Sequence, residues 1–407
     1  MAAGSALAVC AVLLGQRDLL RAAVFLLSLP LAAVVLVSRT RYRLACSRLL
    51  DPPRVQAGRP SIVRLRLDNV SRLPSGVLLM EDALPYVLGG RPRFVLDRLE
   101  PKGVREISYP VRADVRGRYR VGPLSVRLTD PFGLCELTRS FASTDDLVVT
   151  PAVTPLPHVR LGGDWAGGGD ASARSVAVSG SDDAATREYR HGDDLRKVHW
   201  RSTARVGELM VRREEQPFQS RATLLLDCRA HAHRGDGPGS SFEWAVSGVA
   251  SIAVSLVRAG FALRLLTESG LDLVPATAHV TEGTLLDVLA AVGSSSLESI
   301  DTATEHLRRH GIDGVLVAVV GALSADDTER LARLRHGTAT CVAVVIETET
   351  WAPFSSRGQA AALSSYQASA ALLTASGWRV LRVPHGTTLP SVWPLAGTHT
   401  GRSDVSA

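Results

Sequence analysis

Two nearly uncharged runs open the chain, Ala2 to Gly15 and Ala22 to Val37, separated by Gln16-Arg17-Asp18-Leu19-Leu20-Arg21. A helix that crosses the hydrocarbon needs about 20 apolar residues, with roughly 17 as a lower bound. Each run is slightly short, so bilayer thinning or snorkelling by Arg17, Arg21 and Arg39 would have to complete the span. No Lys or Arg precedes the first run, and the second ends in Ser38-Arg39-Thr40-Arg41 without a small-x-small cleavage site. Both features argue against a removed signal peptide. Arg39, Arg41, Arg43 and Arg48 follow, and by the positive-inside rule they place that end in the cytoplasm. The pattern predicts a transmembrane helical hairpin over residues 1–40. The chain is then a two-pass protein of the cell membrane with its soluble domains cytoplasmic. One spanning helix preceded by an interfacial one is the alternative.

From about residue 50 to 151 the period changes. Ile62-Val63-Arg64-Leu65-Arg66-Leu67 alternates apolar with arginine, as a strand wet on one face does. Asp68-Asn69-Val70-Ser71 reads as the turn that ends it. Further short strands are expected at 76–80, 93–96, 106–111, 119–121, 124–128, 134–141 and 146–150, with Gly and Pro between them. An antiparallel β-sandwich of about seven strands follows. Parallel pairs would require helical crossovers, for which there is no room.

Residues 152–220 read as a linker and a motif-bearing segment. The stretch 162–181 is rich in Gly, Ala and Ser and has no phosphate-loop spacing. Beyond it, Thr223-Leu224-Leu225-Leu226-Asp227 is an apolar run ending in a carboxylate, the pattern of a buried parallel strand. Helices are expected at 242–259, 283–291, 301–310, 325–335 and 359–376. Strands are expected at 261–266, 315–320, 341–346 and 378–383. This βα alternation over 221–385 predicts a parallel sheet covered on both faces, with 386–407 as a tail. The fold class is therefore multi-domain, β plus α/β.

Composition changes the picture little. At 45% apolar the chain can build real cores, and at 5% aromatic these rest on Val, Leu and Ala. The net charge of +6 is spread along the chain with no basic block, so it reads as membrane orientation and solubility, with no nucleic acid expected. Cys10, Cys46, Cys135, Cys228 and Cys341 have neither zinc-ligand nor redox spacing and are expected to be reduced, mostly buried thiols.

Candidate chemistry concentrates in 187–205: Tyr189, Gly192, Asp193, Asp194, His199, Trp200, Arg201, Ser202 and Arg205, with His191 among them. Three readings compete. His191, Asp193, Asp194 and His199 could hold a metal for a hydrolase, but their spacing is irregular and Gly192 breaks any helix aligning them. The arginines with Trp200 could bind phosphate or nucleic acid, although Glu188, Asp193 and Asp194 neutralise much of that charge. The favoured reading is a paired polar junction. In it Asp193 or Asp194 caps a short helix, Trp200 anchors it to the next domain, and the exposed half is a docking surface. A hydrolytic triad of Ser202, His199 and Asp193 lacks a nucleophile-elbow context. A second motif runs Arg116-Gly117-Arg118-Tyr119 through Gly122-Pro123 to Asp130-Pro131-Phe132-Gly133. Its turn chemistry points to structure.

Both motifs resemble those of the bacterial domain-of-unknown-function-58 family, and the resemblance runs over nearly the whole chain. It implies a membrane-anchored protein with a C-terminal von Willebrand factor A-like domain. It further implies partnership with a MoxR-type AAA+ ATPase, and a transglutaminase-like membrane protein as a possible second partner. In such domains the loop after the first strand carries Asp-x-Ser-x-Ser around a divalent cation. Here Asp227-Cys228-Arg229-Ala230-His231 puts Arg229 and His231 at the serine positions, so no metal and no cofactor are expected, and Asp227 is free to pair Arg229. His231 and His233 otherwise belong to a solvated loop. The chain is read as a non-enzymatic scaffold whose cytoplasmic domain recruits a partner near Asp227 and the signature.

Overall fold

The computed structural model describes residues 2–39, 44–72, 74–75, 77–129, 136–161, 186–189, 198, 200–212, 220–275, 281–312, 314–335, 339–352 and 356–397. The chain divides into two units, Met1–Val153 with Leu286–Val292, and Thr154–Leu285 with Gly293–Ala407.

The first unit opens with helices α1 (Ala2–Leu14) and α2 (Arg17–Arg39). They pack through small residues: Ala11 and Ala23 are buried, and a Cβ on Gly4 would come within 3.0 Å of Leu27 Cγ. The expectation of two spanning helices is corrected. α1 has 13 residues, about 20 Å at 1.5 Å per residue, against the roughly 30 Å of a hydrocarbon core. α2 carries Arg17, Asp18 and Arg21 at its start and Pro30 inside. Among the described residues, no helix is long and apolar enough to cross a membrane.

Next come strands β1 (Leu44–Asp51), β2 (Arg54–Gln56), β3 (Pro60–Asn69), β4 (Leu78–Asp82), β5 (Arg93–Leu96), β6 (Val104–Arg112), β7 (Gly117–Val121), β8 (Leu124–Thr129), β9 (Glu136–Phe141) and β10 (Asp145–Thr150). They form sheets ordered β1-β3-β6, β2-β10-β7 and β5-β4-β8-β9. The alternation read in β3 is realised: Val63, Leu65 and Leu67 are buried while the residues between them are exposed. They join Leu78, Met80, Val121, Leu124, Leu147 and Val149 in one core. The expected turn starts two residues late, at Val70. Asn69 is still in β3, where its Nδ2 donates to Leu99 O and Glu100 O and its Oδ1 accepts from Ser71 N.

Two further expectations are corrected here. β2 and β10 pair in parallel, Arg54–Gln56 against Val148–Thr150, because the return path runs through the intervening strands and needs no dedicated helix. Arg48 is not a charge flanking a membrane helix. It sits in β1, which pairs along its length with β3, and its side chain is buried against Asp82 (2.7 Å) and Asp145 (3.2 Å).

In the second unit a short antiparallel pair, β11 (Thr186–Glu188) with β12 (Met210–Arg212), brackets helix α3 (Trp200–Val206). A larger sheet follows, built from β13 (Arg221–Leu226), β14 (Ala262–Thr267), β15 (Asp272–Val274), β16 (Val315–Val320), β17 (Thr340–Ile346) and β18 (Arg379–Val383). Its order is β15-β14-β13-β16-β17-β18, parallel except for the β15 edge. Helices α4 (Ser241–Arg258), α5 (Glu282–Ala291, of which Leu286–Ala291 belongs to the first unit), α6 (Asp301–His310), α7 (Ala325–Ala332), α8 (Ser356–Ala375) and α9 (Leu389–Val392) intervene. The apolar runs of β16 and β17 are buried throughout, as strands covered on both faces must be. The chain leaves β13 toward β14 on one side and returns through β16 on the other. The β13/β16 boundary is thus the topological switch point, where open α/β sheets place their sites.

Candidate functional site

Asp227 follows β13 at that switch point, and Gly321 and Ala322 follow β16 beside it. The side chain of Arg229 lies buried between two carboxylates. Its Nε and Nη2 donate to Asp227 Oδ1 and Oδ2, both at 2.9 Å, and its Nη1 donates to Asp327 Oδ2 at 2.7 Å. Nη1 also reaches Glu298 O (3.2 Å) and Nη2 reaches Ala322 O (3.3 Å). A guanidinium has five N–H groups, and every one has an acceptor here. The carboxylates are similarly engaged. Gly321 N donates to Asp227 Oδ2 (3.2 Å) and Ile300 N to Asp327 Oδ1 (3.2 Å). Asp327 lies in the first turn of α7, where Ser324 caps the helix by accepting from Asp327 N. The positive end of that helix favours its charge.

Burial opposes the charge on Arg229, but the hydrogen bonds and attraction of Asp227 and Asp327 outweigh it and hold the pKa above the ordinary arginine value. His233 is also buried, with Nε2 2.9 Å from Asp227 O and Nδ1 3.2 Å from Ser241 Oγ. Burial lowers its pKa despite the nearby Asp227 carboxylate, so the ring is neutral at pH 7. Glu268, buried at the end of β14, accepts from Cys228 N at 3.0 Å. Close backbone packing sets these loops: a Cβ on Gly321 would lie 2.2 Å from Ala232 O.

A divalent cation at this loop, as the resemblance implies, does not fit the residues present. The Arg229 guanidinium lies where a cation would bridge Asp227 and Asp327, and His231, at the other hydroxyl position, is exposed. Among the described residues no three His, Cys, Asp or Glu side chains gather into a metal-binding group. The reading of 230–236 as a solvated loop holds for His231 and is corrected for His233, whose two nitrogens face Asp227 and Ser241.

The signature is placed in part. Tyr189 N donates to Leu209 O (2.8 Å), and Val198 bridges Val211, so the two flanks of the motif are drawn together. Gly192, Asp193, Asp194 and His199, with His191, lie outside the described residues, as do Asp130, Pro131, Phe132 and Gly133. Trp200 starts α3 and is 69% exposed, which corrects the buried anchor expected of it. Arg201 and Arg205 are exposed on the same helix, Ser202 lies between them in sequence, and Thr203 Oγ1 accepts from Met210 N at 3.0 Å.

In the second motif Arg116 donates to Leu289 O (3.0 Å) and Val292 O (2.5 Å), and Tyr119 Oη to Val115 O (2.8 Å). Gly117 and Gly122 both have positive φ, and Pro123 O accepts from Ala83 N. A Cβ on Gly122 would meet Arg48 Nη1 at 2.7 Å and Ser143 O at 2.9 Å. Of the thiols, Cys228 and Cys341 are buried, Cys46 is half-buried and Cys10 exposed, none of these four in a disulfide, while Cys135 lies outside the described residues. Asp327 and Glu298 were not anticipated. The available signal for Asp327 was a Ser-x-x-Asp helix start just after an apolar strand.

Residues 185–362 match the model of the family described as "Protein of unknown function DUF58". The chain is 27% identical over 221 residues to the uncharacterized protein YeaD of Bacillus subtilis (strain 168), a match covering 53% of each chain. The match thus spans about half the length of that relative. Among solved structures, the CARDB domain of a Pyrococcus furiosus protein is 12% identical, covers 26% of this chain and 93% of its own, and has a TM-score of 0.20. The Pseudomonas fluorescens alkylpurine DNA glycosylase AlkC is 15% identical over 26% of this chain and 30% of its own, at a TM-score of 0.19. Over residues 185–362, from the signature through most of the parallel sheet, the chain is similar to the DUF58 family.

Proposed function

We propose that the chain is a membrane-attached, non-enzymatic scaffold whose second unit, von Willebrand factor A-like in its sheet order and edge strand, recruits a partner protein for assembly or chaperone work. The observation that carries this reading is the exposed edge of the signature. Trp200, Val206 and Leu209 present apolar surface (69, 57 and 40% exposed), flanked by the exposed Arg201 and Arg205. An exposed tryptophan bordered by arginines is the composition of an interaction hot spot. The fully paired state of Arg229, Asp227 and Asp327 agrees with it, since none of these groups is left to act as nucleophile, base or ligand. The family resemblance names the partner class as a MoxR-type AAA+ ATPase, with a transglutaminase-like membrane protein as a second associate.

Attachment to the bilayer rests on the N-terminal helix pair. Val9, Val12, Leu13 and Leu14 on α1 and Val24 and Phe25 on α2 are exposed and offer an apolar surface to a bilayer.

The test is affinity purification of the tagged full-length chain from detergent-solubilised native membranes, with a non-hydrolysable ATP analogue present. A Trp200→Ala/Leu209→Ala variant is run in parallel. An AAA+ ATPase recovered with the parent and lost from a variant of unchanged melting temperature supports the scaffold reading. Equal recovery from both moves docking away from α3, and no ATPase in either sample removes the proposed partner.

A further inference from the structure

The switch-point site raises a question of charge. Asp227 and Asp327 bring two negative charges into a buried position, and leaving them unpaired there would be costly. One route is a divalent cation held by oxygen ligands. This chain uses a side chain instead. Through its five N–H groups Arg229 ties four separate segments of the chain, by the side chains of Asp227 after β13 and Asp327 at the start of α7, and by the backbone carbonyls of Ala322 after β16 and Glu298 before α6. Gly321 N and Ile300 N complete the acceptor sites from the same loops.

We propose that Arg229 is a resident cation: its guanidinium, with one positive charge and five N–H donors, acts with the Gly321 and Ile300 amides to do the carboxylate-satisfying and loop-tying work of a divalent ion, so the carboxyl edge of this sheet is set without metal. The tie is intramolecular and pH-independent over the physiological range, because arginine does not deprotonate there. The face built on these loops is therefore indifferent to magnesium, calcium and chelators. The site beneath the guanidinium is also a latent ion site. Removing the side chain leaves the carboxylates of Asp227 and Asp327 and the carbonyls of Glu298 and Ala322 converging on the space it filled. That is an oxygen set suited to a hard cation.

The experiment compares the purified full-length parent with Arg229→Ser and Arg229→Lys. Manganese and magnesium are titrated by calorimetry, and melting is followed in chelator and in millimolar cation. The parent is expected to give a flat titration and one melting temperature in both buffers. Arg229→Ser is expected to melt lower in chelator, to recover by several degrees in cation, and to bind one ion with a dissociation constant in the micromolar to millimolar range. Adding Asp227→Asn to it should abolish that binding. Arg229→Lys, which keeps the charge, is expected to remain cation-indifferent. One-to-one binding by the parent that is lost in Asp227→Asn overturns the proposal. So does a folded Arg229→Ser whose melting is the same in chelator and cation. If Arg229→Ser does not fold in either buffer, the parent and Arg229→Lys titrations decide: flat curves uphold the resident cation, and stoichiometric binding refutes it.

Discussion

At the scale of single residues, the buried ion pairs differ from the surface ones in what their loss would do. The exposed Arg308–Glu305 and Arg333–Glu329 pairs lie on helix surfaces, where solvent screens them. Arg229 is wholly buried, and Arg229→Met leaves two carboxylates without their partner. In chelator this variant should be destabilised by about 3–5 kcal/mol, measured by denaturant unfolding. A loss under about 1 kcal/mol would mean that water reaches the carboxylates. His233 supplies a pH dependence. Its folded pKa is lowered, so below the ordinary histidine value of about 6.5 the unfolded chain takes up a proton that the folded chain refuses. Its stabilising contribution is complete above that value and is lost as the pH falls toward the lowered folded pKa. The melting temperature should therefore drop between pH 7.5 and 5.5, and His233→Gln should flatten the drop. His306, shifted the same way by burial, Arg264 and His310, leaves a residual slope in that variant.

At the scale of elements, Arg48 and Gly122 act as one device. Arg48 reaches from β1 to Val121 O, Ser143 O, Asp145 and Asp82, and Tyr109 Oη donates to the other oxygen of Asp82 at 2.5 Å. Burial first, and the Asp82 hydrogen bond second, push the Tyr109 phenol well up. The backbone at 122 runs so close to the guanidinium that only a glycine fits, and its φ of 102° suits glycine as well. Gly122→Ala should therefore cost more than the usual surface substitution, about 2–3 kcal/mol from combined strain and displaced pairing. Equal melting of variant and parent would show that Arg48 has room to move. In the helix pair, Gly4→Leu should separate α1 from α2, with protease access to residues 14–17 as the readout.

At the scale of the whole molecule, each unit has its own core, one of Leu, Val and Met between strands and one between a parallel sheet and its helices. Calorimetry should resolve more than one unfolding transition, with Arg48→Met lowering chiefly one and Arg229→Met the other. A single transition shifted equally by both would mean that the units unfold together. The βα alternation of the second unit was legible because buried parallel strands are continuous apolar runs: β16 and α6 fall where periodicity puts them. The strands β3 and β5 were equally plain. Arg48 misled because a charge beside an apolar segment looks the same in sequence whether it flanks a bilayer or enters a core. Trp200 misled because an aromatic carries no mark of which face it occupies. By itself the sequence determined the alternation of β3, the βα succession of the second unit and the likeness of residues 185–362 to one family, and it left Asp227 open to pair Arg229, since these depend on local period and short spacing. Only the tertiary structure decided that Asp327, Glu298 and Ala322 close around that guanidinium, that β2 pairs in parallel with β10, and that Trp200 faces outward. These depend on segments distant in the chain meeting in space, and their geometry leaves no periodic trace along it.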